Sequence, residues 1–96
     1  MGISEIIGDQ KEQILAVAAK YGASNVRIFG SVVQGTADEN SDIDFLVDME
    51  PGRSLFDMGG LLMELQELLH RKVDIVTEGG LHWYIKDNIL KEAKPL

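Results

Sequence analysis

The chain has 96 residues, and a single domain spanning 1–96 with one modest core is expected. Nine Lys and Arg face 16 Asp and Glu, a formal net charge of −7, which disfavours nucleic acid and anionic membranes as partners. There is no cysteine, so disulfides and thiolate metal sites are excluded. No apolar run approaches the roughly 20 residues of a membrane helix, and no basic-then-apolar leader opens the chain, so a cytoplasmic location is expected.

A first helix is predicted from about Ser4 to Lys20. Ile6, Ile7, Ile14, Leu15, Val17 and Ala18 give it an apolar face at helical spacing. Ser4 is the candidate N-cap, and Gly22 is placed to end the helix in the left-handed conformation. Gly8 weakens the early turns, so the ordered part is open to starting nearer Asp9. Ala23 to Asn25 reads as a connection and Val26 to Phe29 as a first strand. Arg27, alternating with apolar neighbours, points either to solvent or to a phosphate.

The stretch from Phe29 to Val47 carries the chemistry. Gly30 permits a close backbone approach to a ligand, and the Ser31 hydroxyl can donate to a phosphate oxygen. Val32 to Gln34 forms a short helix in this reading, with amides facing an anion. A polar loop from Gly35 to Asn40 leads to a second strand, Ile43 to Asp48, with Ser41 fixing the turn before it. Residues two apart in a strand share a face. Asp42 and Asp44 therefore project together, while Ile43, Phe45 and Val47 point the other way. Adjacent carboxylates beside an apolar strand repel and lose water. Mg²⁺, a hard cation held by one or two carboxylates and substrate phosphates, is the natural compensation.

Glu50-Pro51-Gly52 ends that strand. Ser54 caps a long helix with Asp57 in its first turn. Leu55, Met58, Leu62, Leu65 and Leu69 form its stripe, widened by Leu61 and Leu68, and Met58 and Met63 are read as core filler. Gly59-Gly60 allows either close packing or a bend. His70-Arg71-Lys72 closes the helix with cations. Val73 to Val76 is a third strand, whose Asp74 either pairs with Arg27 or Lys72 or joins Asp42 and Asp44. Glu78 to Gly80 is a turn, and Leu81 to Ala93 a last helix. There Trp83 and Tyr84 are read as core, with exposed anchors for another protein as the alternative. His82 lacks the Cys or His company a zinc site needs. The order α-β-β-α-β-α fits an α/β (α+β) fold, a small mixed sheet with helices packed on it.

Gly30-Ser31-x-x-x-Gly35 followed by Ser41-Asp42-Ile43-Asp44, with flanking Val26-Arg27-Ile28-Phe29 and Val73-Asp74-Ile75-Val76, resembles the signature of the polymerase-beta-like nucleotidyltransferase superfamily. The short length points to its minimal nucleotidyltransferase branch. The resemblance implies transfer of AMP from ATP to a hydroxyl acceptor. Gly30, Ser31 and Ser41 would hold the nucleotide. Asp42, Asp44 and Asp74 would ligate two Mg²⁺ ions, about 3.5–4 Å apart in such sites, and Asp74 would also help take the acceptor's proton. It further implies a helical HEPN toxin as partner, neutralised by AMP transfer to one of its tyrosines, with binding alone as the alternative. Gln34 stands where the family often has Arg, so a phosphate contact is either missing or supplied by Arg27 or the partner. The chain is too short for the substrate domain of larger relatives, so the acceptor is recognised by the partner or by another subunit, a homo-oligomer included.

Overall fold

Strands β1 (Ala23–Phe29), β2 (Ile43–Met49), β3 (Val73–Val76) and β4 (Lys94–Pro95) form one sheet in the spatial order β3-β2-β1-β4. A computed structural model describes all residues 1–96. The central strand β2 pairs antiparallel with β1 and parallel with β3, and β1 pairs antiparallel with β4. The mixed sheet follows from the connections. A one-turn helix and a polar loop join β1 to β2, whereas β2 reaches β3 through the crossover helix α4 (Leu55–Leu69).

One face of the sheet makes the core. Ile43, Phe45 and Val47 on β2 and Val26 and Ile28 on β1 are buried against Ile14 and Ala18 of α2 (Lys11–Lys20) and Leu61, Leu65 and Leu69 of α4. Full burial of each large aliphatic or aromatic side chain stabilises by about 1.5–3 kcal/mol. The other face carries Asp44, Leu46 and Asp48. Leu46 is fully buried although it lies outside the core cluster. Its neighbours in register are Arg27 and Val76. Arg27 is neither a solvent-facing residue nor a free phosphate ligand. Only 12% of its side chain is exposed, and its guanidinium donates to Asp48 at 3.0 Å and Glu78 at 3.1 Å.

The expected first helix is two helices. Gly8, at φ 56° and ψ −126°, breaks the run into α1 (Ile3–Ile7) and α2, and Gly2 rather than Ser4 precedes α1. Gly22 does end α2 at φ 79°. The expected connection before β1 is part of the strand. Asn25, at φ 49°, sits at an irregularity in the β1–β2 register and donates to Asp48 at 3.0 Å. Ser54 caps α4 as expected: its hydroxyl accepts from the Phe56 amide at 3.2 Å, while Asp57 accepts from the Ser54 amide at 3.0 Å. The buried stripe of α4, however, is Leu61, Leu65 and Leu69, whereas Leu55 is 84% exposed and Met63 59% exposed. His70 ends this helix as its left-handed cap, at φ 54°.

The last helix, α5 (Trp83–Glu92), buries no side chain completely. Trp83 is 80% exposed and Tyr84 62% exposed, so the core reading of these two is wrong. After α5 comes β4, a two-residue edge strand with a proline, which apolar alternation could not reveal. No helix is long and apolar enough to cross a membrane.

The glycine pair in α4 separates into two roles. A Cβ on Gly59 would meet open space, whereas one on Gly60 would run into the ring of Tyr21. Gly60 thus admits that ring, whose hydroxyl donates to Glu64. Gly59→Ala should stabilise the protein by up to about 1 kcal/mol through helix propensity. Gly60→Ala should destabilise it, because overpacking of about 1–3 kcal/mol outweighs the same gain. Urea unfolding of both variants checks this, and equal shifts of the same sign would refute it.

Candidate active site

The site begins where β1 stops. Gly30 has φ 78° and ψ −149°, a conformation open to glycine, and a Cβ there would collide with Asp44 Oδ2. The absence of a side chain lets the β2 carboxylate press against the turn. The short helix α3 (Ser31–Gln34) follows, closed by Gly35 in the left-handed conformation. Its Val32 is buried, and α1 packs on α3 with Ile7 in the same core. The Gly30 amide donates to Glu92 Oε1 at 2.8 Å, and Gln34 Nε2 donates to the same oxygen at 3.2 Å. Ser31 is half-buried, and its hydroxyl makes no hydrogen bond within the chain.

The three aspartates come from two strands. In register, Asp44 stands opposite Phe29 on one side and Asp74 on the other. Asp42 lies just ahead of β2, with Ile43 buried between the two carboxylates. Asp44 is half-buried. Loss of water, then the charges of Asp74 and Asp42, a hydrogen-bond contact with Asp74 and the charge of Glu92 push its pKa up to about 6. Asp74 is exposed and makes no ion pair; the alternative partner Arg27 is held by Asp48 and Glu78. The carboxylates are neighbours, but no three of them close around one point. Hard oxygen donors with uncompensated charge still suit a divalent cation, with Asp42, Asp44 and Asp74 as its holders.

Beside Asp42 opens a polar cleft of about 380 Å³, lined by Glu39, Asn40, Ser41, His70, Arg71 and Lys72. Arg71 donates to the carbonyls of Asp38 at 2.7 Å and Ser41 at 3.4 Å, holding the loop before β2. The Ser41 hydroxyl is used locally, accepting from the Asp38 amide at 2.9 Å and donating to Asp38 Oδ1 at 3.1 Å. It fixes the turn, as expected. Two features escaped sequence reasoning. Arg71 read only as a helix-end cation and Lys72 as that or as a partner for Asp74, yet the α4–β3 turn brings both beside Asp42. Glu92 carried no signal, because an acidic residue in a terminal helix is ordinary.

The chain and its fold have relatives. The nucleotidyltransferase domain family matches residues 11–96. A Methanocaldococcus jannaschii protein named, provisionally, as a protein adenylyltransferase (MJ0435) is 41% identical over 93 residues, covering 97% of this chain and 96% of that protein. A solved structure, described provisionally as a minimal nucleotidyltransferase, superposes with a TM-score of 0.87 at 44% identity, covering 100% of this chain and 97% of that one. A chain of a toxin–antitoxin complex crystallised with AMP-PNP has the same fold, with a TM-score of 0.75 at 23% identity, covering 88% of this chain and 70% of that one. The chain belongs to the nucleotidyltransferase domain family and is a nucleotidyltransferase of the minimal type.

Proposed function

We propose that this protein transfers AMP from ATP to a hydroxyl of a partner protein, a tyrosine of a helical HEPN-type toxin, and so acts as its antitoxin. The observation that carries the reading is the junction of Gly30 with Asp44 and Asp74. It sets amide and hydroxyl donors for phosphate within reach of a carboxylate cluster. The relative named as a protein adenylyltransferase and the fold shared with a toxin–antitoxin chain support the choice of acceptor and partner.

In this reaction the acceptor oxygen attacks the α-phosphate, a new P–O bond forms, and the bond to the β-phosphate breaks to release pyrophosphate. Gly30 and Ser31 bind the triphosphate, and Asp74, exposed at the sheet edge, receives the acceptor's proton. Bound divalent ions, two Mg²⁺ in this proposal, would spread the charge on the entering and leaving oxygens. Asp42 and Asp44 would hold them in ionised form. A binding-only antitoxin is favoured by one observation, that the carboxylates do not close around one point. Incubation with α-labelled ATP, Mg²⁺ and a HEPN toxin separates the two. Label should appear on the toxin and fall at least 100-fold with Asp74→Asn, while the complex persists. A stable, neutralised complex without label would mean binding alone.

Asp44 gives a second prediction. Its pKa is about 6 in the fold against an ordinary 3.8, so between these values the folded chain holds more protons than the unfolded chain. Stability from this group is therefore lost as pH rises from about 4 through 6. The loss is about 1 kcal/mol once the solvent screening of a half-exposed carboxylate is allowed for. In EDTA at pH 7.5, Asp44→Asn should melt about 4–8 °C above the parent. The gap should close as pH falls toward 4. Mg²⁺ should raise the parent's melting temperature and leave the variant nearly unmoved. A variant that melts lower in EDTA and responds fully to Mg²⁺ would remove Asp44 from the ion site.

A further inference from the structure

We infer that the Glu92 carboxylate is a tethered anion that fills the triphosphate cradle of the nucleotide-free enzyme, and that MgATP must displace it to bind. The inference rests on the nucleotide site proposed above. Glu92 Oε1 accepts from the Gly30 amide at 2.8 Å and from Gln34 Nε2 at 3.2 Å, and these two donors are its only partners. It forms no ion pair. Its charge adds to that of the three aspartates instead of offsetting it, so charge balance does not explain its position. Two convergent N–H donors, the amide at the end of β1 and the side-chain amide of Gln34 on α3, are what an anion takes, and here a side chain of the same chain takes them.

The helix that carries Glu92 is built to let go. α5 buries no side chain completely, and it is followed by the two-residue strand β4. Withdrawal of the carboxylate breaks two hydrogen bonds and opens no core. A ligand that binds only the open cradle has its apparent Kd multiplied by the inverse of the open fraction. Glu92 therefore weakens nucleotide binding until something draws α5 away. Exposed Trp83 and Tyr84 lie on that same helix. Gln34 takes part as a neutral donor that holds Glu92 without a full ion pair.

The test titrates MgATP into the full chain and follows heat and Trp83 emission, Trp83 being the single tryptophan. Glu92→Gln should bind MgATP about tenfold tighter than the parent. Glu92→Asp keeps the charge and withdraws the carboxylate by one methylene, so it should bind severalfold tighter. Parent Trp83 emission should change on binding as α5 moves. If Glu92 merely pins α5 to the site, both variants should bind more weakly and melt lower, which would overturn the inference. A gain in Glu92→Gln with Glu92→Asp equal to the parent would mean simple charge removal and also overturn it. If the parent and both variants all fail to bind MgATP, the nucleotide site itself falls and the inference with it. Should Glu92→Gln fail to fold, Glu92→Asp and the parent's Trp83 signal decide between these outcomes.

Discussion

The close approach of the Asp44 carboxylate to the Gly30 backbone is the contact on which the site depends. It requires β1 to end in a residue without a side chain and at positive φ, and it requires β2 to start with its polar residues on the face away from the core. Both conditions are met by pairing β1 and β2 antiparallel, with Phe29 opposite Asp44. Any larger residue at position 30 would have to push the carboxylate aside or tilt the turn, and either change would separate the Gly30 amide and Ser31 hydroxyl from the carboxylates. The rest of the fold serves this contact: α1 braces α3 from outside, and the core behind β2 fixes the pleat that aims Asp44.

The sheet divides its work by face. One side is a continuous apolar layer under α2 and α4 that supplies the stability. The other holds charges that repel, at a cost the apolar layer must cover. Part of that second face is sealed. Arg27, clamped between Asp48 and Glu78, stands in register beside the buried Leu46 and separates the reactive end of the sheet from the far end. The positive charge on this face is thus spent on structure, and the cations that share a cleft with Asp42 come from the α4–β3 turn.

Strands β1 to β3 and the three aspartates were legible because strand alternation is a strong signal and Asp-x-Asp interrupts it visibly. The pairing of Asp44 with Asp74 was only half legible. Each strand was plain, but the parallel register that makes them neighbours comes from the length of the α4 crossover and the packing under it. The buried stripe of α4 was only partly legible: Leu61, Leu65 and Leu69 all lay within the expected face, but so did Leu55, which is exposed. With leucines at 55, 61, 62, 65, 68 and 69 and methionines at 58 and 63, several stripes satisfy helical spacing, and the position of the sheet chooses among them. Trp83 and Tyr84 read as core because large aromatic residues usually are, yet α5 has no layer above it to bury them. β4 was invisible for want of length, and Glu92 because its partners lie 58 and 62 residues away.

Strand β3 is short, lies at the edge of the sheet, and consists of Val73, Asp74, Ile75 and Val76. An unpaired apolar edge is a template on which other chains can add as further strands. Here Gln66 already takes the Val73 amide with its side-chain oxygen at 3.2 Å, and Asp74 sets a charge in the middle of the strand. The carboxylate proposed to take the acceptor's proton is therefore also a gatekeeper against aggregation. An apolar residue at position 74 would leave a four-residue run of valine and isoleucine type along an open edge, so in the proposed reaction solubility and catalysis would constrain the same side chain.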